Sequence, residues 1–291
     1  MASIAELAVV STVPTCIGFW KREYGVSYAY GSAMVAGAVL VLQTEIARGP
    51  AAWHAWAHLV YGVRLCLFLL WREVNVERFR RMREKIEEMA PPSETLGERI
   101  LTRSPFILGC SMLYFCMSLP LLASARGTTT RAFAWPPLVA AYIGLVMAAV
   151  GDIHKSLAKA RRGEMALVTT GLYRVMRHPN YTGEQLLWAA SAVVGLALST
   201  PVTRPFKTLF TWTAILLGQL GIQFVLMNAT ASLNDRQREK YGDDPDYRTW
   251  RAFLGFEIKK QMDQPSDTTS GVDDDRDHPD GDDKAVEASP P

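Results

Sequence analysis

Apolar residues along this chain gather in long uninterrupted runs, whereas a soluble surface helix would place a polar position every three or four residues. Seven runs stand out: Ile4 to Trp20, Tyr28 to Ala47, Trp53 to Trp71, Phe106 to Ala125, Pro137 to Ile153, Gln185 to Ser199 and Leu209 to Met227. A segment crossing a bilayer needs about 20 mostly apolar residues, because lipid offers its backbone no hydrogen-bond partner and a helix satisfies its own. The pattern predicts an all-α fold, a polytopic transmembrane helical bundle of about seven spans. The sixth run is short and Pro14 interrupts the first, so six spans is the alternative count. No internal repeat of about 20 to 50 residues is visible, which excludes a solenoid.

Loop charge orders these spans. Lys plus Arg in successive connections number 2, 1, 8, 2, 6, 2 and 7. Such residues accumulate on the cytosolic side, so the alternation puts the N-terminus outside or luminal and the C-terminus in the cytosol. The first run lacks a basic leader and a small-residue cleavage site and reads as a retained span. Overall composition, 49% hydrophobic and 21% charged with a net charge of +2, resembles that of a soluble protein. That average conceals a partition: residues 263–291 hold ten acidic residues against Arg276 and Lys284, seven of them between Asp273 and Asp283. With no aromatic residue, this segment is predicted to be a disordered acidic tail. The organisation expected is N-terminal spans over 1–54, a membrane catalytic domain over 55–262 and the tail over 263–291. Cys16, Cys66, Cys110 and Cys116 all fall inside apolar runs, which argues against a disulfide framework or a metal site and for small buried hydrophobes. Between the third and fourth runs, Val74 to Met89 reads as an amphipathic helix, lying on the membrane surface or serving as a solvated linker. Gly31 and Gly37 would let the second span pack closely on its neighbours or on another subunit, and oligomeric state stays open.

Candidate chemistry concentrates between the fifth and sixth runs, from Gly151 to Trp188. Ionisable groups at a membrane edge are costly to desolvate, so Asp152, His154, Lys155, Arg174, Arg177, His178 and Glu184 gathered there form a candidate site. Each also has a plain reading: Arg174 or Arg177 on lipid headgroups, His178 as a structural histidine. Pro179 disfavours helical geometry at His178, while Asn180 and Thr182 can cap a helix beginning near Gly183. An extended basic strip running into a helix N-terminus favours anions such as phosphate. Glu184 in the first turn can bond a ligand hydroxyl or amide, or lock a neighbouring arginine.

Gly171, Leu172, Tyr173 and Arg174, then Arg177, His178, Pro179, Asn180 and Tyr181, then Gly183 and Glu184, resemble the signature of the steroid 5-alpha-reductase C-terminal-domain superfamily. The resemblance is to its membrane branch, related to isoprenylcysteine carboxyl methyltransferase-like proteins. Gly62, Arg64 and Leu65 with Arg72, Asp152 with Lys155, and Tyr247, Arg248 and Trp250 extend it over roughly residues 55–255. It implies an integral membrane oxidoreductase, in the endoplasmic reticulum, that uses NADPH to reduce a C=C bond in a lipophilic enone or enoyl substrate. That steroid- or lipid-like substrate would enter from the bilayer; the partners implied are this small molecule and membrane lipids, with no nucleic acid. The cofactor residues implied are Asp152, Lys155, Arg174, Arg177, His178, Asn180, Tyr181, Glu184, Tyr247 and Arg248, with no metal. Nicotinamide would lie near Asn180 and Tyr181, and phosphates towards Arg177, Lys155 and Arg248. Catalytic roles fall to Tyr181 and Glu184. The steroid reductases draw a further acid from a Glu and a Tyr in their N-terminal half, for which Glu45 and Tyr61 or Tyr114 are chemically suited.

The same superfamily contains lipid methyltransferases that use S-adenosylmethionine, which is the alternative cofactor. Their pattern places a Glu-Glu pair about eight residues before an aromatic–Gly pair. Tyr241 and Gly242 supply the latter, but the pair positions hold Leu233 and Asn234. Charge leans the same way, since NADPH brings about four negative charges to Lys155, Lys159, Arg161, Arg162, Arg174, Arg177, His178 and Arg248. Loops on the cytosolic side carry Lys and Arg whatever they bind, however. A non-enzymatic lipid-binding protein is the third reading.

Overall fold

The structure, a computed structural model, describes residues 2–44, 48–88, 95–126, 131–199 and 205–254. Among these residues there is no strand. Each apolar run becomes helix. The first, α1 (Ile4–Thr12), begins with a capping box in which Ser3 Oγ accepts from the Glu6 N–H (3.0 Å) and Glu6 accepts from the Ser3 N–H (2.7 Å). At Val13 it tightens into a 3-10 segment, Val13–Phe19, where Pro14 has no N–H to continue an α-helical ladder. A short 3-10 turn, Arg22–Gly25, leads into α2 (Tyr28–Leu42), followed by α3 (Pro50–Asn75), α4 (Glu77–Glu88) and α5 (Leu96–Arg126). The chain continues through α6 (Trp135–Arg162), α7 (Pro179–Leu198), α8 (Pro205–Tyr241) and α9 (Pro245–Phe253).

Five helical stretches are long and apolar enough to cross a membrane: Arg22–Leu42, Pro50–Asn75, Gly97–Arg126, Ala132–Arg162 and Thr208–Tyr241. The chain is thus an integral membrane protein. The first and sixth runs, already short in the sequence, fall outside this group for identifiable reasons. Ile4–Phe19 is interrupted by its 3-10 half, and the first two turns of α7 are occupied by Asn180, Tyr181, Thr182, Glu184 and Gln185. Both nevertheless sit among the long helices. Leu7 of α1 packs with Leu119, Leu122 and Ile215 of α5 and α8, and Leu187 and Trp188 of α7 share the main core with Tyr30, Met34, Tyr61, Tyr114, Leu145 and Ile222. Neighbouring helices shield what a lone short helix would leave open to lipid.

Contacts sort the connections into two ends. At one end, Arg103 donates to the Gly18 and Trp20 carbonyls (3.4 and 3.0 Å) and pairs with Glu87. There too Lys240 donates to the Glu164 carbonyl (3.1 Å), and the Trp250 indole donates to the Tyr173 carbonyl (2.7 Å). At the other end, Arg126 bonds the Ala2 carbonyl and Tyr142 donates to the Trp53 carbonyl (2.8 Å). The grouping is the one implied by alternating loop charge.

Close helix contacts rest on glycine. A Cβ at Gly183 would fall 2.5 Å from the Ala148 nitrogen, and one at Gly144 would fall 2.5 Å from the Gly183 carbonyl, so α6 and α7 touch backbone to backbone. Gly31 of α2 and Gly62 of α3 make the equivalent approach, which settles the close packing of the second span within the chain. Cys16, on the 3-10 segment, is exposed and Cys66 is half-buried, so only Cys110 and Cys116 lie in the core expected of all four thiols.

The amphipathic segment after α3 is fastened to the bundle through Arg83, which sets it apart from a freely solvated linker. Arg83 of α4 is buried, its guanidinium 4.8, 5.2 and 4.6 Å from the Tyr24, Tyr28 and Phe79 ring centres and 3.2 Å from both Glu23 and Glu73. Cation–π contact and two carboxylates fasten α4 to the bundle. The predicted acidic tail lies outside the described residues.

Two outcomes are expected. Gly183→Ala should lower thermal stability in detergent by about 1–3 kcal/mol through overpacking against α6, while Thr182→Ala, exposed one residue away, leaves it unchanged. In a cysteine-free background, Glu84→Cys and Arg161→Cys should react with an impermeant maleimide from one side of a sealed vesicle, and Phe133→Cys from the other.

Candidate functional site

The site is organised around a carboxylate at the basic end of α6. Asp152 accepts from Arg64 of α3 at 2.6 Å through Oδ2 and from the Asn180 amide of α7 at 3.0 Å through Oδ1. The Arg64 guanidinium also lies 3.8 Å from Glu184, so one largely buried cation serves two carboxylates. The Tyr173 hydroxyl donates to the Gly151 carbonyl (3.2 Å) and stands 3.5 Å from Asn180 Oδ1. A Cβ at Gly151 would come within 2.8 Å of the Asn180 nitrogen; glycine there lets α7 enter beside Asp152.

Locally, Pro179 acts as expected, holding His178 out of helical geometry (φ −135°, ψ 65°). The helix starts earlier than anticipated, at Pro179 itself, because a first-turn proline lacks only an N–H that the helix leaves unused. Asn180 and Thr182 consequently lie inside the first turn and do not cap it.

Beside Asp152 opens a cavity of about 610 Å³ at the basic end. Arg72, Lys155, Lys159, Arg236 and Lys240 line it, against Asp152 and Glu164, with Phe68, Trp71, Tyr173, Asn180, Tyr181 and Tyr241 completing the wall. Asp152 is already committed to Arg64 and Asn180, which leaves the cavity strongly positive. Lys159 and Lys240 approach the same acceptor, the Glu164 carbonyl, at 2.6 and 3.1 Å. A second, apolar groove of about 780 Å³ lies between α3 and α6, lined by Trp56, Leu59, Val60, Val63, Leu67, Ile153 and Leu157. Phe68, Trp71, Asp152 and Ser156 belong to both linings, so the two spaces meet at Asp152.

The structure divides the residues expected at the site. Asp152, Lys155, Asn180 and Tyr181 line the cavity. Glu184 stands behind them against Arg64. Arg177, His178 and Tyr247 are buried outside the cavity lining, where α9 closes on the loop before α7. There the His178 imidazole donates from Nε2 to Asn234 Oδ1 (2.7 Å), and Tyr247 packs against Tyr241 and Trp250, ring centres 6.0 Å apart in each case. Burial pushes His178 down to about 4, only partly offset by its bond to Asn234, so the ring is neutral near pH 7. Burial, with Arg251 beside it, also pulls Arg177 below the ordinary arginine range. Arg174 and Arg248 are exposed, Arg248 pairing with Asp243 at 3.3 Å. Glu45 lies outside the described residues. Tyr61 is fully buried close to Glu184, whereas the Tyr114 hydroxyl is committed to the Gly25 carbonyl (2.9 Å).

Arg236, Lys240, Tyr173 and Tyr241 were not anticipated as cavity residues. Nothing in the spacing of Arg236 and Lys240 separates them from other basic loop residues; Tyr173 belonged to the family resemblance and Tyr241 to the methyltransferase pattern, neither of which gave them a cavity role. Positions 233 and 234, where the methyltransferase pattern wants carboxylates, do face the site: Leu233 lines the cavity and Asn234 holds His178.

Residues 17–253 match the family described as Protein of unknown function (DUF1295). Two curated relatives, each described as "Probable protein-S-isoprenylcysteine O-methyltransferase" and from Oryza sativa subsp. indica and subsp. japonica, are 33% identical over 100 residues, 28% of this chain. The chain spans about half the length, 51%, of these relatives. No solved structure matches the chain.

The depressed His178 makes stability depend on pH. Below its ordinary value of 6.5 the unfolded chain takes up the proton first, so stability should fall as pH drops from about 6.5 towards 4, by at most about 1.4 kcal/mol per pH unit from this group. His178→Gln, which keeps a donor for Asn234 and removes the titration, should flatten this part of the profile in thermal melts.

Proposed function

The chain belongs to the DUF1295 family, and from that membership and the geometry of its site we propose that it is an NADPH-dependent membrane reductase of C=C bonds in lipophilic enone or enoyl substrates. The observation that carries this reading is the junction at Asp152, where a polar cavity with five cations in its wall meets an apolar groove lined by outward-facing side chains of α3 and α6. A charged, water-soluble cofactor and a bilayer-dissolved substrate can approach one point from opposite directions there. The residues fit the cofactor: Arg72, Lys155, Lys159, Arg236 and Lys240 would hold its phosphates, and Tyr181, Tyr173 and Trp71 offer ring faces for its heterocycles. NADPH, when bound, supplies the hydride.

The chain's own part is positioning. Arg64 fixes Asp152, Asp152 fixes the Asn180 amide, and the Asn180 side-chain oxygen, faced by the Tyr173 hydroxyl at 3.5 Å, has a second lone pair to accept from a bound amide. Tyr181 lines the cavity and is the hydroxyl we assign to proton delivery. Glu184 acts through Arg64 as a positioning residue. Because NADPH is held in the cytosol, the basic end faces the cytosol in this reading, with the endoplasmic reticulum as the membrane.

The curated relatives favour a second reading, an S-adenosylmethionine-dependent methyltransferase acting on a lipidated substrate. Leu233 and Asn234 count against it, since a sulfonium cation in this cavity would face five cations without the carboxylate pair.

Equilibrium binding to purified protein decides between them. NADPH should bind more tightly than NADH or S-adenosylmethionine, and more weakly as salt is added. Lys155→Ala or Arg236→Ala should weaken NADPH roughly tenfold to a hundredfold, the loss of one charge-assisted bond of about 1.5–3 kcal/mol. Arg248→Ala, exposed and outside the cavity, should leave affinity unchanged. Saturable S-adenosylmethionine binding without NADPH binding would establish the second reading.

A further inference from the structure

The basic end of the bundle is also where the described chain runs out. α9 ends at Phe253 and Leu254 follows. One turn earlier the Trp250 indole donates to the Tyr173 carbonyl (2.7 Å), and Tyr247 rests on Tyr241, with ring centres 6.0 Å apart. Tyr173 and Tyr241 are both wall residues of the polar cavity. α9 is thus tied, through Trp250 and Tyr247, to two residues of that wall. Beyond it comes the segment with ten acidic residues against Arg276 and Lys284, seven of the acids packed into Asp273–Asp283.

Charge and reach both suit a contact between the two. The cavity presents Arg72, Lys155, Lys159, Arg236 and Lys240, and its own Asp152 is bonded to Arg64 and Asn180. Lys159 and Lys240 come to one shared carbonyl, that of Glu164, which concentrates positive charge at a single point of the wall. From Leu254 to Asp273 an extended chain reaches up to about 65 Å, well beyond what is needed to pass from α9 to that point. A tethered polyanion has a high effective concentration at such a site, which untethered anions lack.

We propose that the acidic segment Asp273–Asp283 docks in cis on the cationic wall formed by Lys159, Arg236 and Lys240 and competes there with the anionic cofactor. The docking follows from the charges alone; only the competition rests on the NADPH reading.

Carbodiimide cross-linking of the full chain in uncharged detergent tests the docking. Amide links from Asp273–Asp283 to Lys159 or Lys240 are expected at low salt, with a yield independent of protein concentration and lost near 0.5 M NaCl, where the Debye length falls to roughly 4 Å. Links confined to other lysines such as Lys85, links whose yield rises with protein concentration, or none would overturn it. Competition is tested with a full-length variant carrying Asp273→Asn, Asp274→Asn, Asp275→Asn, Asp282→Asn and Asp283→Asn. If the segment is docked about nine-tenths of the time, this variant should bind NADPH about tenfold more tightly than the parent at low salt. Equal affinities would overturn the competition. Cross-links to Lys159 or Lys240 in protein that binds no NADPH would support the docking and overturn the cofactor reading.

Discussion

The guanidinium of Arg64, held between Asp152 and Glu184, is the interaction on which the rest of the site depends. Three helices meet there, α3 with the arginine and α6 and α7 with a carboxyl group each. Two charges removed from water are tolerated only when they meet partners with good geometry, and losing one member strands the others. The arrangement therefore tethers α3, α6 and α7 to one another. It also aims Asn180, since the oxygen of Asp152 not used by Arg64 is the one that receives the Asn180 amide.

That tether can form because the helices approach without side chains between them. Gly144, Gly151 and Gly183 bring α6 and α7 into backbone contact, and Gly31 and Gly62 do the same for α2 and α3. In lipid, where apolar side chains gain nothing by leaving their solvent, such close packing is a main source of helix association. Small residues and the Arg64–Asp152 pair are two halves of one design: the first sets the distance at which the second can pair.

Basic residues at this end serve three different ends. Arg83 and Arg103 fasten α4 and the first connection to the bundle. Arg177 and His178 lie in the buried seam under α9. Arg72, Lys155, Lys159, Arg236 and Lys240 face the cavity. The division explains how a chain can carry an excess of positive charge on one face and commit only part of it to a ligand.

Much of the architecture was determined by the sequence alone. The apolar runs foretold the helices, since a chain in lipid has no other way to satisfy its backbone, and loop charge foretold which connections share an end. Pro179 foretold the non-helical His178 for a steric reason that acts between adjacent residues. What the tertiary structure decided was which members of a chemically uniform set converge. Arg177 and Arg248 look as suitable for phosphate in the sequence as Lys155, yet the fold buries one, exposes another and turns only the third into the cavity. Arg236 and Lys240 join the wall because α8 runs on for 37 residues to reach Glu164, a residue more than 70 positions earlier. Periodicity and local stereochemistry act over a few residues, whereas the meeting of Arg64 with Asp152, 88 positions apart, depends on how helices cross. No local pattern in the sequence records that crossing.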